Sequence, residues 1–274
     1  MAGRHVYGVV RAILIALAIL WSLGPLYWMF ATSLKRPELV WQLPPPLVFA
    51  PYLEHYAQVF QRTPFWPYLV NTLIVATATL VIAVTCGSLA AYSFTRFRFP
   101  GSDTLPLFYL VARMLPRFVL VVPLYIVMRE LGLLNTRLAL ILAYTTFSLP
   151  FVIWMMIGFF KEIPVELEEA AMVDGCTRLQ VLAKIVLPLA APGLAATSIF
   201  AFLLGWNEFL FALVLAGRHT RTLPLIAAGF TTDRGVEWGL VMATGSLVLL
   251  PVIVMALVVQ KHIVRGMTLG AVKS

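Results

Sequence analysis

Apolar residues in this chain come in long unbroken runs rather than in alternation. Residues 12–34, 138–160, 185–207 and 238–260 each continue for 23 positions without Asp, Glu, Lys or Arg, and 63–95 continues for 33. A helix needs roughly 20 apolar residues to cross about 30 Å of hydrocarbon. A chain in lipid must satisfy its backbone internally, as helices or as a closed barrel. Barrel strands alternate apolar and polar residues in segments of about ten, which is not the pattern here. A sixth run, 104–128, is apolar but carries Arg113 and Arg117; its flanks, FRFPGSD and MREL, read as loop and interface. The pattern predicts an all-α membrane protein of six transmembrane helices, near 8–30, 68–92, 105–128, 138–160, 193–216 and 239–260, in a single domain over 1–274. Arg4 and Arg11 ahead of the first run, with Ala16-Leu17-Ala18 inside it, mimic a secretory signal. The run exceeds the 7–15 residues of a signal core, so an uncleaved first helix is expected.

Composition agrees. The chain is 61% hydrophobic and 12% charged, with a mean hydropathy of +0.92, whereas soluble domains carry about 25% charged residues. With six spans, the N-terminus, the loops 93–104 and 161–190 and the tail share one side. That side holds ten Lys and Arg against eight on the other, which by the positive-inside rule puts both termini in the cytoplasm. The net charge of +8 suits anionic lipid headgroups and carries no nucleic-acid motif. Cys86 and Cys176 lie at different depths and are not expected to pair. His5, His55, His219 and His262 lack ligand spacing, so no metal site is expected. No phosphate loop, nucleophile elbow or H-E-x-x-H occurs. No catalytic residue is assigned.

One polar segment on the cytoplasmic side stands out, KEIPVELEEAAMVDGCTRLQVLAKIVLPLA at 161–190. Pro164 can open a helix that Val165–Val173 continue. Asp174-Gly175 breaks it, as glycine does where the chain turns through positive φ. Thr177 suits the N-cap of a second helix, in which Leu179, Leu182, Ile185 and Val186 form an apolar stripe and which Pro188 ends. Two short helices meeting at an elbow are predicted.

Glu169-Ala170-Ala171, three residues, Gly175, nine residues, then Ile185-x-Leu187-Pro188 resembles the "EAA" loop of binding-protein-dependent ABC importer permeases in identity and spacing. The likeness extends along most of the chain. Ala90-Ala91-Tyr92 through Arg96-Phe97-x-Phe99-Pro100-Gly101, Arg113-Met114-Leu115-Pro116, Gly132-Leu133-Leu134-Asn135-Thr136, Trp206-Asn207-Glu208-Phe209 and Gly266-Met267-Thr268-x-Gly270-Ala271-Val272-Lys273 resemble the carbohydrate subfamily, and within it the second, six-span maltose-type permease. The resemblance implies the ABC importer permease fold in a prokaryotic cell membrane. It also implies a heteromeric importer: a second permease subunit, a cytoplasmic ATPase dimer that binds the ATP and Mg, and an extracytoplasmic sugar-binding protein. This chain itself would need no cofactor. The elbow would be the coupling helix seated in an ATPase cleft. Ala170 and Ala171 would permit close approach, Glu169 would offer charge to a basic partner, and Gly175 would fix the angle, with Asp174, Ile185, Leu187 and Pro188 also in the coupling segment. The bland alternative is an amphipathic helix resting on headgroups.

Other sites keep two readings. Arg113 and Arg117, four apart on one helix, should share a face, either as a polar wall of the translocation path or by snorkelling or pairing with Glu208. Asn207 and Glu208 interrupt the fifth span; with Trp206 and Phe209 they supply hydrogen-bonding groups and ring faces suited to sugar, or else helix–helix glue. The loop 217–238 is a candidate to reach the binding protein, or a solvated connector. Pro-rich 31–67 reads as a stiff extended run. The tail residues Gly270, Ala271, Val272 and Lys273 would, by the resemblance, touch the ATPases. Small residues Gly87, Ser88, Ala90 and Ala91 read as close helix packing. A phosphorylated cargo such as a glycerol phosphate also suits the arginines. From another class, a lipid-linked glycosyltransferase built on Arg113, Arg117 and Glu208 remains an alternative, though Asp233 and Glu237 are the one close acidic pair outside the elbow.

Overall fold

The computed structural model describes the backbone of residues 2–233 and 235–269, and the side-chain surroundings of 7–233 and 235–257. Its main helices are α1 (Ala2–Ser33), α2 (Glu54–Arg62), α3 (Phe65–Arg96), α4 (Thr104–Met114), α5 (Arg117–Glu130), α6 (Arg137–Lys161), α7 (Val165–Val173), α8 (Arg178–Leu189), α9 (Ala191–Trp206), α10 (Leu210–Leu215) and α11 (Trp238–Leu269). Four stretches are long and apolar enough to cross a membrane: Tyr7–Ser33, Phe65–Arg96, Arg137–Lys161 and Trp238–Leu257. The pairs α4–α5 and α8–α9 pass the same test but bend by 98° and 79°, giving six spans if each pair is one. The all-α membrane fold read from run lengths stands.

Both bends have covalent causes. Between α4 and α5, Pro116 has no N–H to donate and forces Leu115 out of the helical region, to φ −64° and ψ 129°. Arg113 and Arg117 therefore sit on two helices, not on one face of a single helix as expected. In the second pair the helix continues past Pro188 to Leu189, and the bend falls at Ala190 with Pro192 in the first turn of α9.

The chain divides into two compact units. One comprises Trp66–Leu225 with Val252–Ser274, and α6 is its centre, packed against α4, α9 and α10. Its buried apolar residues form two clusters. Val75, Leu140, Tyr144 and Phe211 belong to one. Tyr92, Val152, Met156 and Phe160 belong to the other, which also takes in Ala171, Val181, Leu182 and Val186 from the elbow. The Gly132–Thr136 motif makes the turn between α5 and α6. Gly132 and Asn135 take φ of +67° and +63°, a conformation open to glycine and tolerated by asparagine. Thr136 then caps α6 by accepting from the Ala139 N–H at 3.1 Å. Close helix approach occurs at Gly87, as its small size suggested: a Cβ there would lie 2.7 Å from Val152 Cγ1.

The other unit comprises Met1–Phe65 with Ile226–Pro251. Its Pro-rich stretch is not one extended run, because a single-turn helix Pro37–Val40 and α2 interrupt it. α2 turns His55 and Val59 inward. Lys35 is buried, with its Nζ 4.7 Å from the Trp28 ring and 5.3 Å from that of Phe49. A two-residue antiparallel ladder pairs Thr231 with Val236 and Thr232 with Gly235.

Candidate functional site

The elbow at 161–190 is fastened to the end of α3. In α7, Glu168 points inward and is 2% exposed. One of its carboxylate oxygens accepts from Arg96 Nε and the other from the Tyr92 hydroxyl at 2.8 Å. The same guanidinium donates to the carbonyls of Phe160 and Ile163, at 2.8 and 2.9 Å, just ahead of α7. Arg178, at the start of α8, lies over the Phe97 ring at 5.3 Å. The Tyr92–Phe97 segment and the EAA segment, separate motifs in the sequence, thus form one structure. A buried carboxylate needs this density of partners, because an unpaired buried charge is costly.

The outer face is different. Glu169 and Ala170 are exposed, Ala171 is buried, and Val173 and Leu179 present apolar side chains that are 87% and 74% exposed. Leu179 therefore leaves the predicted stripe, whose other members Leu182 and Val186 are buried and Ile185 half-buried. Asp174 closes α7, and Gly175 follows at φ +89°, the conformation its place between two helices requires. Thr177 caps α8 in a full capping box with Gln180. Residues 182–186 form a π-helical turn directly before Leu187 and Pro188, a wide turn of the kind common at functional sites. Glu168 and Arg96 were missed in the sequence, although Glu168 adjoins the motif.

Inside the membrane-spanning part, Arg113 and Arg117 converge from their two helices on a cavity of about 160 Å³, with Thr146 and Phe147 in its wall. Arg117 donates to Glu208 Oε2 at 2.7 Å and lies 4.3 Å from the Phe147 ring centre. Arg113 lies over Phe151 and Trp154, at 4.8 and 5.6 Å, with no carboxylate within ion-pair distance among the described residues. Glu208 is 2% exposed. Its Oε1 accepts from the Phe211 N–H at 3.1 Å, capping α10. Trp206 is fully buried and stacked on Phe202; Asn207 is exposed, with its amide donating to the Leu203 carbonyl. Of these three, Asn207 is the member open to solvent within the chain. The start of the 217–238 loop is held down rather than free: Asn71 donates to the carbonyls of His219 and Arg221, both at 2.9 Å. Residues 270–273 lie outside the described residues.

The signature of the binding-protein-dependent transport system inner membrane component family matches residues 83–269. The chain belongs to that family. As an inner-membrane component of a binding-protein-dependent transport system it serves transport and is not an enzyme, and nothing supports the glycosyltransferase alternative. The diacetylchitobiose uptake system permease protein DasC of Streptomyces coelicolor is 38% identical over 256 residues, covering 91% of each chain. The trehalose/maltose transport system permease protein MalG of Thermococcus litoralis is 37% identical over 275 residues, covering 98% of this chain and 97% of its own. A chain of the crystal structure of a bacterial ABC transporter that imports the acidic polysaccharide alginate superposes with a TM-score of 0.76. It shares 24% identity and covers 95% of this chain and 98% of that one. The permease fold implied by the EAA loop is therefore the fold of this family member.

Proposed function

We propose that this permease forms half of the path of an ATP-driven sugar importer, beside a second permease subunit, with both termini in the cytoplasm. An extracytoplasmic sugar-binding protein delivers the cargo, and a cytoplasmic ATPase dimer seats against the exposed face of Glu169–Gly175. The observation that carries this reading is the buried Arg96–Glu168 pair. It fixes the elbow rigidly to α3, so that a push on Ala170 or Val173 moves a membrane helix instead of bending a loop. A helix merely resting on headgroups needs no such anchor. Relatives that move diacetylchitobiose and trehalose or maltose support a disaccharide-sized cargo. One observation favours a sugar bearing an anionic group: Arg113 and Arg117 against Glu208 leave one positive charge at the cavity.

The test is affinity purification of the tagged chain in mild detergent, followed by ATP hydrolysis and uptake assays over neutral and acidic sugars. A second permease and an ATPase that co-purify, with hydrolysis raised by sugar-loaded binding protein, are the expected result. A chain that purifies alone, where a known importer stays assembled, overturns it.

A further inference from the structure

A second pocket lies in the unit formed by Met1–Phe65 and Ile226–Pro251, well apart in sequence from the arginine cavity. It has a volume of about 250 Å³ and is walled by Trp41, Gln58, Glu237 and Trp238, with His55 and Gly239 among its lining. We propose that this pocket is an outer subsite for one ring of the sugar cargo, occupied before the cargo enters the membrane path. The proposal rests on the sugar-importer reading above.

Three features carry it. The first is the pairing of ring faces with polar groups. Trp41 and Trp238, 69% and 37% exposed, both line the pocket, and an indole combines a large apolar face with a polar N–H. A sugar ring offers C–H faces to such indoles and hydroxyls to the Gln58 amide and the Glu237 carboxylate, the mix of apolar wall and few fixed polar groups that marks small-molecule sites. The second is that the carboxylate is held in place and keeps acceptor capacity. Arg62 grips Glu237 through two bonds of 2.8 Å, and each carboxylate oxygen retains a further lone pair for a hydroxyl. The third is a rigid floor. His55 is 5% exposed and bonded through Nε2 to the Lys35 carbonyl at 2.9 Å, with Tyr52 edge-on against it. Position 239 must be glycine for this ring to sit there, since a Cβ would lie 2.3 Å from His55 Nε2. A preformed floor and a fixed carboxylate limit the ordering cost of binding. On the proposed orientation, the two lining segments, one after the first span and the other after the fifth, lie on the extracytoplasmic side, where cargo arrives.

The experiment starts from whole-cell uptake of neutral disaccharides (maltose, trehalose and N,N′-diacetylchitobiose) and of disaccharides bearing a carboxylate or phosphate, which identifies the transported sugar. The full chain in phosphatidylcholine nanodiscs is then titrated with that sugar and followed by saturation-transfer NMR. Transfer to one ring of the sugar is expected. Trp41→Ala should weaken binding about tenfold, as loss of a central indole contact does, and Gln58→Ala less, both with an unchanged thermal midpoint. Uptake by the importer with no saturation transfer to the isolated chain, or transfer unaltered in both variants, sinks the subsite and leaves the importer reading intact. Loss of binding-protein docking in Trp41→Ala with sugar binding unchanged assigns the pocket to the delivery protein and also overturns the proposal. No uptake of any sugar removes the importer reading and the subsite together.

Discussion

Arg96 and Glu168, 72 residues apart, form a buried ion pair with side chains 6% and 2% exposed. Each group is satisfied beyond the pair, Glu168 by Tyr92 and Arg96 by two carbonyls. Removing one partner strands the other, at about 3–5 kcal/mol for a buried pair. Glu168→Ala should therefore lower the thermal midpoint sharply and abolish uptake. Tyr92→Phe deletes one hydrogen bond and should cost about 1 kcal/mol. Thermal unfolding in nanodiscs ranks the two, and a larger loss in Tyr92→Phe would show that the ion pair is not the anchor.

Gly175 separates conformation from contact. Its φ of +89° suits no bulky residue, yet no atom lies within 4 Å of where a Cβ would stand. An added Cβ meets nothing inside the chain, and a non-glycine residue there carries a left-handed backbone penalty of about 1–2 kcal/mol. Gly175→Leu should insert normally while uptake falls and the ATPase either dissociates or hydrolyses without transport. Undiminished uptake would refute a coupling role.

Much of this architecture was legible because lipid imposes a single rule, that long charge-free runs become helices. What stayed hidden depended on tertiary partners. The sequence offers Glu168 and Glu169 side by side, and only the arrival of Arg96 decides which is buried. The i, i+4 spacing of Arg113 and Arg117 assumed an unbroken helix, although Pro116 between them was the signal against it. Leu179 fitted an apolar stripe by spacing, but the π-helical turn after it shifts the register, and the side chain faces out. Conversely, Gly175 and Thr177 were readable because their roles are local: a positive φ and a cap need no distant partner.

Gly87 tests close packing directly. Its missing Cβ would meet Val152 Cγ1 at 2.7 Å and Cβ at 2.9 Å, and Val152 is itself fully buried in the elbow-side cluster. Overpacking of this kind costs about 1–3 kcal/mol. Gly87→Ala should lower the midpoint by that order, and the double variant with Val152→Ala should recover part of it. Additive losses in the double variant would mean that the two positions do not compete for space.

The Arg62–Glu237 pair gives a pH dependence of known sign. The hydrogen bonds from Arg62, helped by its charge, hold the Glu237 carboxyl below the ordinary carboxylate range. A depressed folded value contributes stability above the unfolded pKa, near 4.3, and loses it as pH falls through the lower folded value. Both side chains are over 40% exposed, so screening limits the pair to less than about 1 kcal/mol. Glu237→Gln should thus be slightly less stable than the parent at pH 7, with the gap closing below about pH 4. A gap that widens on acidification would mean the carboxyl is raised rather than lowered.

The Arg117–Glu208 pair is lopsided, and substitutions on its two sides should differ. Arg117 is 42% exposed, Glu208 2%. Glu208→Gln leaves behind a guanidinium that water can reach, and its amide oxygen can still accept from the Phe211 N–H, so the loss should be about 1 kcal/mol or less. Glu208→Ala also orphans that N–H at the start of α10, adding about 1–3 kcal/mol. Arg117→Gln strands a buried carboxylate and should be worse than Glu208→Gln for the same lost bridge. The expected order of midpoints is parent, Glu208→Gln, then the other two. If the cavity lies on the path, Glu208→Gln should change uptake far more than it changes the midpoint; equal small effects on both would reduce the pair to helix–helix glue.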